Sequence, residues 1–151
     1  MSYLLKYSIG YKTNLVATIL KTNFTKLLQP TFGIAAEQFA TLKIISEDNE
    51  VTQTQIAERL GKDKTTVGRS INSLINKGML NKRDEKSDRR ANNISLTQKG
   101  EEILKATIPI AKHFNESVKN KLTKEDIETY YKVLDIILEE SKNMYSEKKE
   151  N

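Results

Sequence analysis

The chain has no cysteine, no tryptophan, a single histidine and two prolines among its 151 residues. Without cysteine there is no disulfide framework and no thiol redox chemistry, which fits a reducing cytoplasmic setting. His113 alone cannot assemble a zinc site, because such sites need several clustered ligands; it is expected to be an ordinary surface or packing residue. No nucleophile–base pair, metal cluster or glycine-rich phosphate loop is visible, so the sequence does not read as an enzyme and calls for no cofactor or metal. No apolar run approaches the roughly 18 residues of a membrane helix. Met1 to Gly10 lacks the basic start and cleavage site of a signal peptide. What remains is a soluble, globular composition, 37% hydrophobic and 30% charged, at the size of one domain, 1–151.

The formal net charge of +5 becomes informative once it is located. Between Lys62 and Lys99 lie ten Lys or Arg against four Asp or Glu, a net +6, while the remainder carries 15 bases against 16 acids. All the positive excess therefore sits in one segment, as expected where phosphates dock. Charge alone would equally fit a solvated basic face.

Apolar periodicity places the elements around that segment. Leu5, Ile9, Val16, Ile19, Leu20, Phe24, Leu27 and Leu28 predict a long amphipathic helix over 4–29, weakened at Gly10 and stopped by Pro30 and Gly33. Ala36, Phe39, Leu42 and Ile45 mark a second helix ending by Asp48. Thr52 and Gln55 form a capping-box pattern ahead of a third, closed by Gly61. Asp63 caps a fourth with an inward stripe of Val67, Ile71, Leu74 and Ile75, closed by Gly78. Met79 to Arg83 and Asn93 to Leu96 then read as strands flanking a polar loop, with Leu80, Ile94 and Leu96 on one face. Thr97 caps a fifth helix, which Pro109 is expected to kink, and Thr123 with Asp126 opens a sixth. The fold class is mainly α with a small β-hairpin: a winged helix-turn-helix lobe over 35–97, flanked by long helices over 4–29 and 97–144.

Within that lobe, Thr52 to Leu96 reads as a binder of double-stranded DNA. The helix after the Gly61-Lys62 turn turns outward Lys64, Thr65, Thr66, Gly68, Arg69, Asn72, Ser73 and Asn76, a set without acids. Small and hydroxyl residues allow close approach to the major groove, where Arg pairs with guanine, Asn with adenine and a Thr methyl with thymine. An ordinary solvated helix would mix Glu with Lys. The loop after the first strand carries Lys86, Arg89 and Arg90. An arginine on a hairpin tip can enter a narrow A·T-rich minor groove, with Asp88 as a brace that aims it. Any one such arginine could also be an exposed ion pair of little value.

Thr54-Gln55-Ile56-Ala57-Glu58-Arg59-Leu60-Gly61, Lys64-Thr65-Thr66-Val67, Leu74 with Lys77-Gly78-Met79-Leu80, and Asp88-Arg89-Arg90 ahead of Leu96-Thr97-Gln98-Lys99-Gly100 resemble the MarR family of bacterial regulators. The resemblance spans nearly the whole chain. It implies base contacts by Thr65, Thr66, Arg69 and Asn72, a minor-groove arginine at Arg89 or Arg90, and phosphate contacts around Thr52, Thr54 and Lys64. Two positions depart from the family pattern. Ala35 stands where a capping threonine or serine is common, and Gly68 where a larger polar residue is common, which points to an unusual base sequence.

The resemblance further implies a homodimer on a pseudo-palindromic operator, with the flanking helices as the dimer interface. It also implies a repressor that a small aromatic or phenolic ligand releases. The apolar stripes of those helices exceed what a small winged domain needs; the alternative is that they complete a monomeric core. Tyr7, Tyr11, Phe24, Phe39 and Phe114 could line a ligand pocket or simply pack, so no ligand residue is assigned. A winged module that binds protein instead of DNA stays open as a competing function.

Overall fold

The computed structural model describes residues 4–82 and 94–146. After a 3-10 turn at Leu5–Tyr7, the described residues form α1 (Ile9–Phe32), α2 (Ala36–Glu47), α3 (Gln53–Leu60), α4 (Lys64–Asn76), β1 (Leu80–Lys82), β2 (Ile94–Leu96), α5 (Gln98–Lys119) and α6 (Lys124–Ser146). This is the mainly helical class with a small hairpin that the periodicity predicts. Two compact units divide the chain, Met1–Ala111 and Lys112–Asn151, and the boundary falls inside α5.

The core of the first unit joins every element from α1 to α5. Leu28 from α1, Leu42 and Ile45 from α2, Ile56 and Ala57 from α3, Val67, Ile71 and Leu74 from α4, Leu80 and Ile94 from the hairpin, and Leu104 from α5 are all buried. Phe24 meets Phe39 edge-on, with ring centroids 5.3 Å apart, and so ties α1 to α2. The strands pair antiparallel with Leu80 opposite Leu96 and Lys82 opposite Ile94, which sets Leu80, Ile94 and Leu96 on one face.

Two features of α1 differ from the sequence expectation. It starts at Ile9, because Ser8 is extended and its side chain accepts from the Tyr11 N–H at 3.3 Å; Leu5 lies in the preceding turn. It also runs through Pro30 and ends only at Gly33, whose φ of 66° and N–H bond to the Gln29 carbonyl close the helix. Proline deprives the carbonyl four residues earlier of its donor, and here that residue, Lys26, is exposed, so water can replace the lost bond. Pro109 likewise lies inside a continuous α5, with Lys105 exposed four residues earlier.

Ala35 is the N-cap of α2 and has no side-chain oxygen to offer. Thr25 supplies one from α1, its hydroxyl accepting from the Ala36 N–H at 3.0 Å. In the second unit Thr123 and Asp126 cap α6 reciprocally, at 2.8 and 3.1 Å. The Thr123 backbone N–H and hydroxyl both donate to the Asp126 carboxyl and hold it below its ordinary value. Several large apolar side chains stand about half exposed: Ile9, Val16, Ile19 and Leu27 on α1, and Tyr130, Tyr131, Ile136 and Leu138 on α6.

Candidate nucleic-acid interface

The helix-turn-helix is built from local chemistry. Thr52 Oγ1 accepts from the Gln55 N–H at 2.9 Å while Gln55 Oε1 accepts from the Thr52 N–H at 2.8 Å, so α3 starts in a complete capping box. It closes with Gly61 at φ 61°, the Gly61 N–H bonding to Glu58 and the Lys62 N–H to Ala57. That is the paired C-terminal arrangement that a left-handed glycine permits. The same closure recurs after α4: Gly78 has φ 71°, its N–H bonds to Ile75, and the Met79 N–H bonds to Leu74. Both turns are thereby fixed by backbone geometry, and α4 is pinned between them.

At the start of α4, Asp63 accepts from the Thr66 N–H at 2.8 Å and from the Thr66 hydroxyl at 2.7 Å. Those bonds, the hydroxyl's first, hold the Asp63 carboxyl below its ordinary value. The inward stripe Val67, Ile71 and Leu74 leaves Lys64, Thr65, Arg69 and Asn72 exposed on the opposite side. None of these four side chains makes a hydrogen bond or ion pair among the described residues. They form one outward polar face with two cations and no acid.

Two other predicted site residues sit differently. Thr66 is half-buried and its hydroxyl donates to Asp63. Ser73 is half-buried and its oxygen accepts from Gln38 Nε2 at 3.1 Å, so it faces α2 and stands apart from the outward set. Gly68 also has an internal reason. A Cβ there would lie 2.8 Å from Gln53 Nε2, which crosses α4 to donate to the Lys64 carbonyl at 3.0 Å. The glycine leaves room for a side chain of α3, whose flexible end would have to shift for a larger residue. Thr54 is half-buried on the first turn of α3, beside the cap at Thr52.

The basic segment divides in the same way. Lys77 Nζ donates to the Gly33 carbonyl at 2.6 Å and to Gln38 Oε1 at 3.0 Å, and Lys99 Nζ donates to the Lys77 carbonyl at 2.7 Å. Their charge still adds to the potential, but their ammonium groups serve the fold. Lys62 lies 3.9 Å from Glu37. Lys64, Arg69 and Lys82 are the exposed cations among the described residues of this segment that have no such partner. The wing residues Lys86, Asp88, Arg89 and Arg90 lie outside the described residues.

Sequence reasoning missed Gln53 and Gln38. A glycine inside a helix costs about 1 kcal/mol against alanine and so asks for a neighbour that needs the space, which was the available signal for Gln53. The hub at Gln38 joins positions 35 and 39 residues apart and left no local signal.

A cavity of about 380 Å³ opens beside Arg69, bounded by Lys21 and Thr25 of α1, the cap residue Ala35, Glu37 and Gln38 of α2, and Ser70 of α4. The Ser70 hydroxyl oxygen is buried without a hydrogen-bond partner among the described residues. Tyr7 and Tyr11 are exposed, while Phe24 and Phe39 belong to the core contact already described. His113 is exposed. Among the described residues no three His, Asp or Glu side chains are grouped to hold a metal ion, and no helix is long and apolar enough to cross a membrane.

Residues 32–91 match the sequence pattern of the MarR family. The HTH-type transcriptional regulator TcaR of Staphylococcus aureus is 33% identical over 120 residues, covering 78% of this chain and 79% of TcaR. The crystal structure of the S. aureus MepR–DNA complex superposes with a TM-score of 0.76 at 22% identity, covering 89% of this chain and 97% of that one. Bordetella bronchiseptica BpsR, whose DNA binding is regulated by 6-hydroxynicotinic acid, superposes with a TM-score of 0.78 at 18% identity, covering 91% and 97%.

Proposed function

The chain belongs to the MarR family of DNA-binding transcriptional regulators, and from that premise we propose that it works in the cytoplasm as a homodimeric repressor on a pseudo-palindromic operator, released by a small aromatic or phenolic ligand. One observation carries the reading: Lys64, Thr65, Arg69 and Asn72 stand exposed and unpartnered among the described residues, on a helix locked from behind. Arg69 would take guanine, Asn72 adenine, and the methyl groups of Thr65 and Thr66 thymine. Lys64, Thr52 and Thr54 would meet phosphates, the two threonines at a helix start whose amides attract anions. Thr52 keeps its hydroxyl proton for this, since its oxygen only accepts in the cap. Lys86 and Arg89 or Arg90, with Asp88 as brace, would reach the flanking minor groove. Ser73 would act from behind α4.

Support for the dimer comes from the half-exposed apolar side chains of α1 and α6, since broad exposed apolar patches mark interfaces. Two recognition helices about 34 Å apart would then read adjacent half-sites. An effector would have room in the cleft of about 380 Å³ beside Arg69, against the polar and charged side chains of Lys21, Glu37 and Gln38. Arg69→Ala tests the base-reading role by fluorescence anisotropy. It should cost about 1–3 kcal/mol on the operator and leave random DNA nearly unaffected. Equal weakening on both would remove α4 as the reader of bases.

A further inference from the structure

Backbone closures at Gly61 and Gly78 hold the two ends of α4, while the apolar contacts that seat its middle are non-directional. Directional restraint comes from hydrogen bonds. On the inner side of α4 those bonds converge on one group, the side-chain amide of Gln38. Its Oε1 accepts from Lys77 Nζ at 3.0 Å and from the Ala35 N–H at 3.2 Å, and its Nε2 donates to Ser73 Oγ at 3.1 Å. Lys77 extends the hub to α1 by donating to the Gly33 carbonyl at 2.6 Å. The end of α1, the start of α2 and the second half of α4 therefore meet at a single half-buried amide.

The spacing gives this hub its consequence. Arg69 and Ser73 are one four-residue step apart on α4 and Lys77, its C-cap in helical conformation, is one step further, so the three continue one ridge. The hub grips two members of the ridge, and the third is the arginine assigned to a base. We propose that Gln38 is a positioning residue for DNA recognition: through Ser73 and Lys77 it fixes the rotation of α4 against α1, and so decides whether Arg69 and Asn72 meet base edges. The proposal rests on the reading of α4 as the recognition helix. It adds a specificity determinant that touches no DNA.

The test uses three full-length proteins, wild type, Gln38→Met and Gln38→Glu, and two duplexes. One duplex is the sequence that the wild-type chain enriches from a random pool; the other is a scrambled control of equal length. Gln38→Met keeps the side chain's size and removes the three bonds made by the amide, leaving Lys77 on the Gly33 carbonyl. Gln38→Glu rebuilds it, since a carboxylate accepts from Lys77, from the Ala35 N–H and from the Ser73 hydroxyl, which can donate as well as accept. The readout is the ratio of the two affinities, which a reduced folded fraction does not change. Gln38→Met should lower that ratio about tenfold, the size of one lost base contact, with scrambled binding retained and the ratio restored in Gln38→Glu. If Gln38→Met weakens both duplexes alike, or keeps the wild-type ratio, Gln38 has no positioning role. If the wild-type chain enriches no sequence, the recognition reading fails and this proposal fails with it.

Discussion

Gly100→Ala should destabilise the protein although it replaces glycine by the best helix former. Gly100 lies in the first turn of α5 and is buried. A Cβ built there would overlap the Met79 carbonyl oxygen and lie 3.1 Å from Leu96 Cδ2. The first obstacle is backbone, so no side-chain rotation relieves it. Relief requires the start of α5 to move off the hairpin, which strains the Thr97 N–H bond to Met79 at 3.1 Å and the Thr97 hydroxyl bond to the Gly78 carbonyl at 2.6 Å. Overpacking costs about 1–3 kcal/mol, the strained bonds about 1 kcal/mol each, and helix propensity returns about 1 kcal/mol. The net loss is therefore about 2–4 kcal/mol, a large share of the roughly 5–15 kcal/mol of a typical domain. Urea denaturation at fixed protein concentration measures it as a lower midpoint with unchanged slope. Gly10→Ala is the control. An added Cβ at that position, on the exposed first turn of α1, meets nothing within 4 Å, so the variant should be neutral or more stable. A Gly100→Ala protein as stable as Gly10→Ala would refute the reasoning.

Other outcomes follow from the caps and the charge. Asp63 and Asp126 have carboxyls held below the ordinary value of 3.8. Their contribution is therefore full above that value and drains away as the pH falls below it through the folded-state values. Asp63→Asn should keep most of the cap at neutral pH and flatten the acid-side loss of stability in a pH series of urea midpoints; an unchanged acid slope would contradict the assignment. Log affinity for DNA should fall linearly with log salt, with a slope near −0.9 per phosphate neutralised, and a flat dependence would favour a protein-binding module. Replacing Arg89 and Arg90 together by alanine should weaken binding most on sites with A·T-rich flanks, whereas equal affinity would remove the wing from the interface.

What could be read in advance was whatever local chemistry decides. Thr52 with Gln55, Gly61, Asp63, Gly78, Thr97, and Thr123 with Asp126 each act within a few residues of themselves, and each cap or closure formed as its spacing indicated. Pro30 misled because its effect depends on whether the carbonyl it orphans faces water, which needs the tertiary arrangement. Ser73 and Lys77 looked like part of a basic, DNA-facing surface because their partner, Gln38, is more than thirty residues away. The missing cap at Ala35 was legible, but its replacement by Thr25 was not, since the two approach only when α1 packs beside α2. The outward face itself, Lys64, Thr65, Arg69 and Asn72, follows from the period of α4 and stands where that period puts it.

Selection from a random pool of duplexes tests most directly whether that face reads DNA. Wild-type protein should enrich an inverted repeat with half-site centres about one helical turn apart, and Arg69→Ala should lose the preference at one base pair of each half-site. Enrichment of no sequence, or of the same repeat by both proteins, would contradict recognition through α4.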